Sequence, residues 1–348
     1  MYIDAHTHCR DFEEAYKETI QHALLVAENS GLSGIFDMPN TKPPLITRAV
    51  VERRLELAKK CASPVFYGIF IGLTNKKDQI KEAVETFNEF FPNKGDERVG
   101  VIGLKMYAGK STNNLTVEDI LSQRSVFAIL AELNFKGVIS LHCEKESVMN
   151  EKLWDPKNPI SHCDVRSEEA EIQSVKDQIQ CAQETNFKGH LHITHISSPQ
   201  SVDIVNKTKH ALRLSSGVTF HHLLLDKNVM TNEKGIFYKV NPPLRSPESR
   251  AQLFAKFNNG EIDILETDHA PHTYEDKIER HSSGIPNLAS WPKVIEILKA
   301  RGIAENFLQK VAFENVNKIF GIKIPRRKAK NNTIYVKDYL FDPYEKIV

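Results

Sequence analysis

Two histidines two residues apart open the chain, in Ile3-Asp4-Ala5-His6-Thr7-His8-Cys9-Arg10. Four more residues of ligand type follow at the ends of later apolar runs. They are Lys105 in Gly-Leu-Lys-Met-Tyr, His142 in Leu-His-Cys-Glu, His195 in His-Ile-Thr-His and Asp268 in Thr-Asp-His-Ala-Pro-His. Zinc accepts neutral imidazole nitrogen and carboxylate oxygen, and a catalytic site keeps one position open for water. His6 and His8, two apart on a strand, put both imidazoles on one face. Such a pair arises by chance often enough; joined to His142, His195 and Asp268 it reads as a binuclear hydrolytic centre. Lys105 is the misfit, because an ammonium repels cations. The conflict disappears if burial deprotonates the amine and carbon dioxide carboxylates it, since a lysine pKa falls readily on burial. The carbamate brings negative charge and two oxygens, enough to bridge two metals. Val101-Ile102-Gly103-Leu104 before Lys105 argues for that burial.

These residues are far apart in the chain, so the fold must gather them. Eight strand-like runs stand at 2–8, 34–38, 64–71, 99–107, 137–142, 190–195, 212–220 and 261–267, several rich in β-branched or aromatic residues. Helix-like stretches stand at 12–30, 47–61, 76–90, 116–133, 167–185, 286–300 and 303–320. Thr116-Val117-Glu118-Asp119 reads as a helix start, and Gly31, Gly34, Gly95 and Gly189 sit where helices should stop. Strands alternating with helices predict parallel βα units closed into an eight-stranded TIM-type (β/α)8 barrel. Catalytic residues of such barrels lie at the carboxyl ends of several strands. No internal repeat or low-complexity linker is visible. Residues 1–322 are therefore read as one catalytic barrel and 323–348 as a short tail packing on it. In that tail Lys323, Arg326, Arg327, Lys328 and Lys330 form a basic cluster, read as a solvated surface segment, and 333–336 is strand-like.

Composition narrows the class. The 348 residues suit an α/β barrel with extended loops, and 41% hydrophobic with 26% charged residues is the balance of a globular protein. A net charge of +1 gives no bulk field for nucleic acid or membrane partners. No apolar run approaches the roughly 20 residues needed to span a bilayer. Met1 leads directly into Tyr2-Ile3-Asp4 without a signal-peptide pattern, so a cytoplasmic location is expected. The five cysteines, Cys9, Cys61, Cys143, Cys163 and Cys181, have no C-x-x-C spacing, which argues against a disulfide framework or a cysteine metal cage. Cys9 and Cys143 each follow a ligand-type histidine, so their side chains should point outward against helices.

Nearly from end to end, the chain resembles the amidohydrolase superfamily and, within it, the dihydroorotases. The matching stretches are Asp4-Ala5-His6-Thr7-His8-Cys9-Arg10, Met38-Pro39-Asn40-Thr41, Gly103-Leu104-Lys105-Met106-Tyr107, His221-His222-Leu223, Lys239-Val240-Asn241-Pro242-Pro243-Leu244-Arg245, Thr267-Asp268-His269-Ala270-Pro271-His272 and Gly284-Ile285-Pro286. The resemblance implies two zinc ions at the barrel mouth. His6, His8 and Asp268 would hold one, His142 and His195 the other, with carboxylated Lys105 between them. It also implies substrate contacts from Arg10, Asn40, Asn241 and His272, and reversible cyclisation of carbamoyl-aspartate in pyrimidine synthesis, with Asp268 as the proton carrier. Arg10 suits a substrate carboxylate, which the hydantoinase relatives do not bind.

Three departures stand out. The N-terminal half of the accessory β-rich subdomain common among relatives is not seen here. Pro286-Asn287-Leu288-Ala289 replaces the common Pro-Gly-Leu-Glu. Lys105 stands where many bacterial relatives use aspartate. The other readings kept open are an allantoinase- or hydantoinase-like cyclic amidase and a non-catalytic scaffold partner of a pyrimidine enzyme. Homo-oligomerisation and association with an aspartate transcarbamoylase are left open as well. The 108–114 segment, rich in Gly, Ser, Thr and Asn, is read as a loop that closes over a small-molecule substrate. His192, His221 and His222 are read as structural.

Overall fold

The computed structural model describes residues 1–92, 98–110, 115–327 and 336–347. Eight strands form one parallel sheet in chain order: β1 (Tyr2–Thr7), β2 (Leu32–Asp37), β3 (Phe66–Gly72), β4 (Val99–Ala108), β5 (Val138–Cys143), β6 (His190–Ile193), β7 (Leu214–Thr219) and β8 (Ile264–Glu266). A parallel bridge from Thr7 to His269, with His8 N donating to His269 O at 2.7 Å, brings the end of β8 back to β1. The barrel is thus nearly closed. Each expected strand is present within a few residues, and β8 is the shortest. Among the described residues there is no second sheet. No helix among them is long and apolar enough to cross a membrane.

Helices Ile20–Asn29, Arg48–Lys60, Lys77–Phe90, Ile120–Glu132, Glu168–Glu184 and Trp291–Ala300 occupy the expected stretches, with corrections at their starts. Residues 12–19 are not helical. Arg10, Asp11 and Phe12 all have left-handed φ (49°, 66° and 51°), and the Asp11 carboxylate accepts from Ile20 N at 2.8 Å to start the helix there. The fourth helix starts at Ile120 rather than near Thr116, because Asp119 caps Ser122 N at 2.8 Å. The expected helix over 303–320 is broken into Glu305–Gln309, a π turn at Lys310–Glu314, and Asn315–Phe320. Gly31 takes the left-handed stop (φ 80°), but Asn186 (φ 53°) serves where Gly189 was expected. Gly95 lies outside the described residues. Helices Pro199–Thr208 and Pro247–Asn258 complete the outer ring, in stretches where no helix was expected.

Two apolar cores result. One lies between barrel and helices, and Cys9 and Cys143 are buried in it as free thiols, pointing outward as expected. The other fills the barrel interior, where the rings of Phe36, Phe70 and Phe320 meet edge to face at 5.1–6.5 Å. Ile324, from the start of the tail, joins Ile322 in this interior core. The tail is therefore not simply a solvated segment. The Arg326 guanidinium lies 4.1 Å over the Phe313 ring, and Tyr344 is fully buried. Val336 belongs to a 3-10 turn, Val336–Asp338, and not to a strand; 333–335, Lys328 and Lys330 fall outside the described residues.

Candidate metal centre and substrate cleft

All six ligand-type residues converge at the carboxyl end of the barrel. His6 is on β1 with His8 just beyond it, Lys105 on β4 and His142 on β5; His195 and Asp268 follow β6 and β8 by two residues. His195 and Asp268 adopt left-handed φ of 39° and 49°. Side chains other than glycine rarely take that conformation, and it persists where surrounding structure enforces it, often at functional turns.

The geometry separates two adjoining donor groups. His8 Nε2 lies 3.0 Å, and His6 Nε2 3.4 Å, from the same oxygen, Oδ1 of Asp268. Ligand atoms of these three residues all lie within 4.8 Å of one another. In the second group, His142 Nδ1 and His195 Nε2 are 3.1 Å apart. Two imidazoles on one tetrahedral zinc place their nitrogens roughly 3.3 Å apart, so this spacing suits a shared ion. The His6 and His195 rings approach to 5.1 Å between centroids, so the groups adjoin.

Electrostatics favours the ligating form. Burial first, then the charge of Lys105 and neighbouring imidazoles, holds His6 and His195 well below the usual histidine range. Burial likewise lowers His142, against an opposing pull from Glu144. Neutral imidazole is the form that binds metal. The nitrogens that face the two donor groups are Nε2 of His6 and Nε2 of His195, whereas their Nδ1 atoms are buried on the other side of each ring without a hydrogen-bond partner. The donor set fits a metal pair.

Lys105 is fully buried, and burial brings its amine down to about 8. Its Nζ meets only hydroxyls, Thr194 Oγ1 at 3.2 Å and Ser140 Oγ at 3.4 Å, with the Tyr107 ring 5.0 Å away. Among the described residues it forms no ion pair. Its charge helps to lower His6, His142 and His195.

A ring of orienting contacts surrounds these ligands. Asn40 Oδ1 stands 2.7 Å from His8 Nδ1, which puts the proton there and leaves Nε2 for a metal. Glu144 Oε2 does the same for His142 at Nε2, 2.9 Å away, and Arg166 clamps that carboxylate. Burial alone would raise Glu144, but Arg166 and His142 hold it down at about 2. Glu266 Oε1 accepts from His195 N at 2.6 Å. Gly217 makes room for that carboxylate, because a Cβ there would sit 2.4 Å from Oε1. Asp4 anchors Thr267 through its backbone N (3.1 Å) and Oγ1 (2.5 Å), while accepting from Trp291 Nε1 at 3.0 Å.

The cleft above, about 70 Å³, is lined by Arg10, Asn40, Asn241, Ser283 and Gly284 together with His6, His8, His142, His195 and Asp268. Arg10 donates from Nε to Pro271 O at 3.1 Å and from its NH2 group to His272 Nε2 at 3.0 Å. His272 Nε2 also lies 3.0 Å from Ser283 O, its Nδ1 is 3.7 Å from Asp276 Oδ2, and the ring stands behind Arg10 rather than on the cleft wall. Arg10 pairs with neither Asp11 nor Glu13; Glu13 is 3.3 Å from Lys42. Of the 108–114 segment, Lys110 lines the cleft and 111–114 lie outside the described residues.

Several contributors escaped sequence reasoning. Glu144 follows His142 at the same two-residue spacing that marked His6 and His8, a signal that was available. Glu266, Tyr107, Lys110 and Ser283 lay inside or beside quoted motifs without an assigned part. His162 carried no signal at all. His192, hydrogen-bonded to Ser215 Oγ at 2.9 Å, and His222, tied to Thr219 and Pro242 O, are structural, as expected. His221, fully buried, meets Asn287 Nδ2 at 3.0 Å.

No family model matches the chain. It is 31% identical over 322 residues to a dihydroorotase of Thermococcus kodakarensis, covering 92% of this chain and 68% of that one. It is 30% identical to a dihydroorotase of Methanothermobacter thermautotrophicus, covering 94% and 71%. Among solved structures it is similar in fold to an L-hydantoinase of Arthrobacter aurescens, with TM-score 0.81 at 19% identity over 96% of this chain and 74% of that one. A Saccharomyces cerevisiae dihydroorotase solved with 5-fluoroorotic acid is also similar, with TM-score 0.72 at 19% identity over 93% and 84%.

Proposed function

The chain belongs to the dihydroorotase family of the amidohydrolase superfamily, and on that premise we propose that it interconverts N-carbamoyl-L-aspartate and L-dihydroorotate in pyrimidine synthesis. One observation supports this over a neutral cyclic amide. Arg10 lines the cleft beside a full donor set, with its guanidinium braced by Pro271 O and His272. A braced planar fork suits bidentate pairing with the substrate carboxylate.

His6, His8 and Asp268 would hold one zinc ion and His142 and His195 the second, with Lys105 between them as a carbamate. Bound there, the ions would polarise the ring amide carbonyl and lower the pKa of a nucleophilic water. The Asp268 carboxylate takes a proton from the attacking water oxygen and delivers it to the leaving ring nitrogen; cyclisation runs the same transfer in reverse. Asn40 keeps the His8 tautomer, and Asn241 offers its amide to the substrate. His272 acts through Arg10. The same reading gives the cytoplasm as location, and homo-oligomers or a complex with an aspartate transcarbamoylase as assemblies to look for.

A hydantoinase or allantoinase activity is the neighbouring reading, and Arg10 argues against it because those rings carry no such carboxylate. A scaffold without catalysis would have no use for six intact ligands. Assaying purified protein side by side on dihydroorotate, hydantoin and allantoin decides among the three. The proposal expects turnover of dihydroorotate and fails if only a neutral ring is opened, or none.

A further inference from the structure

His162 lies on the short helix Ser161–Val165, between β5 and β6, and belongs to none of the motifs that carry the metal centre. Its ring is buried. Its Nε2 stands 3.1 Å from Val240 O and 2.8 Å from Asn241 Oδ1. A backbone carbonyl can only accept, so Nε2 must carry the proton, and the amide atom that shares it must be oxygen. Ser283 Oγ donates to that same Oδ1 at 3.3 Å and is itself held by Lys239 Nζ at 3.0 Å. The Asn241 oxygen is thus occupied by two donors. What the amide then offers to the cleft it lines is its NH2 group.

The imidazole itself is fixed. Trp154 packs edge-on against it at 5.7 Å between centroids, and Lys239 Nζ sits 5.1 Å over the same indole. Burial, with the charges of Lys239 and Arg166, lowers His162 to about 3, so it stays neutral through the physiological range. The donor arrangement therefore does not switch with pH.

We propose that His162 is a positioning residue for Asn241: it locks the amide with its NH2 toward the cleft, so that position 241 is a donor selecting a carbonyl or carboxylate oxygen of the substrate. The choice of substrate rests on the dihydroorotase reading, whereas the amide orientation does not.

A double-mutant cycle on the metal-loaded enzyme tests it. His162→Ala frees the amide to turn and should raise KM for dihydroorotate roughly five- to tenfold, the worth of one neutral hydrogen bond, with kcat little changed. His162→Gln, which keeps an N–H donor, should recover most of the loss. The pair His162→Ala/Asn241→Ala should be no worse than Asn241→Ala alone, because His162 acts only through that amide. Losses that multiply, or a His162→Gln variant no better than His162→Ala, would overturn the proposal. Neutron diffraction from wild-type crystals gives a readout independent of activity. Deuterium on His162 Nε2 with the Asn241 ND2 on the cleft side is expected, and the amide oxygen on the cleft side would overturn the proposal whatever the substrate. Absence of dihydroorotate turnover by the wild type would count against the functional reading alone.

Discussion

Tyr344 donates its phenolic O–H to Oδ1 of Asn287 at 2.8 Å, and through that contact the tail reaches the residue before Asp268. The Asn287 amide donates on to Thr267 O at 2.8 Å and meets His221 Nδ1 at 3.0 Å. Thr267 is held from its other side by Asp4. The Asn287 that departs from the family's usual glycine is therefore a fully buried hub. Tyr344→Phe keeps the ring packing and strands one buried acceptor. It should cost about 1–3 kcal/mol of stability, read by denaturant titration, while metal content stays unchanged.

If the proposed carbamate on Lys105 bridges the two donor groups, Lys105→Ala should lose metal and activity together. Short carboxylic acids in solution should restore part of the turnover by standing in for the carbamate. Mass spectrometry of the active, metal-loaded enzyme should show the added carboxyl group by its mass. An unmodified amine in such a sample would end the carbamate account.

The strands and the convergence of the six ligand-type residues were legible in the sequence because each of these residues closes an apolar run, which a barrel turns into a position at its mouth. The helices Pro199–Thr208 and Pro247–Asn258 were missed, although Ser198-Pro199 and Ser246-Pro247 are good start signals, with serine as cap and proline in the first turn. The left-handed run Arg10-Asp11-Phe12 had no such signal, since neither arginine nor phenylalanine favours that conformation. His162 works across 79 residues of chain, a distance at which no local pattern can report a hydrogen bond.

Arg10→Lys keeps the charge and loses the fork. A lysine cannot hold Pro271 O and His272 while also pairing bidentately with a carboxylate. A charged hydrogen bond is worth on the order of 1.5–3 kcal/mol, so kcat/KM for dihydroorotate should fall roughly tenfold or more. Metal content should be unaffected. The loss should shrink for an analogue lacking the carboxylate; equal losses on both would make Arg10 a structural residue.

Glu18 ties the other side of Asp268. Its carboxylate meets His269 Nε2 at 2.9 Å, His22 Nδ1 at 3.0 Å and the Tyr339 hydroxyl at 2.7 Å. Burial alone would raise it, but His269, His22 and Tyr339 outweigh burial and bring it from 4.5 to about 2. A depressed folded pKa means stability that is present above 4.5 and lost as pH falls toward 2. The bond to Glu18 raises His22 above its usual 6.5, so the His22 share is present below 6.5 and lost above it. The stability gap between wild type and Glu18→Gln should therefore be widest between about pH 4.5 and 6.5 and narrow on both sides. Urea titrations across that range read it directly, and a gap independent of pH would show that the carboxylate charge is not what stabilises this contact.

The most direct test of the central claim is hydrolysis of L-dihydroorotate measured while metal-stripped protein is titrated with zinc. Activity should rise from zero and saturate at about two equivalents per chain, and the same loaded sample should cyclise carbamoyl-aspartate. Full zinc loading without turnover of dihydroorotate in either direction, or undiminished activity in the stripped protein, would contradict the account.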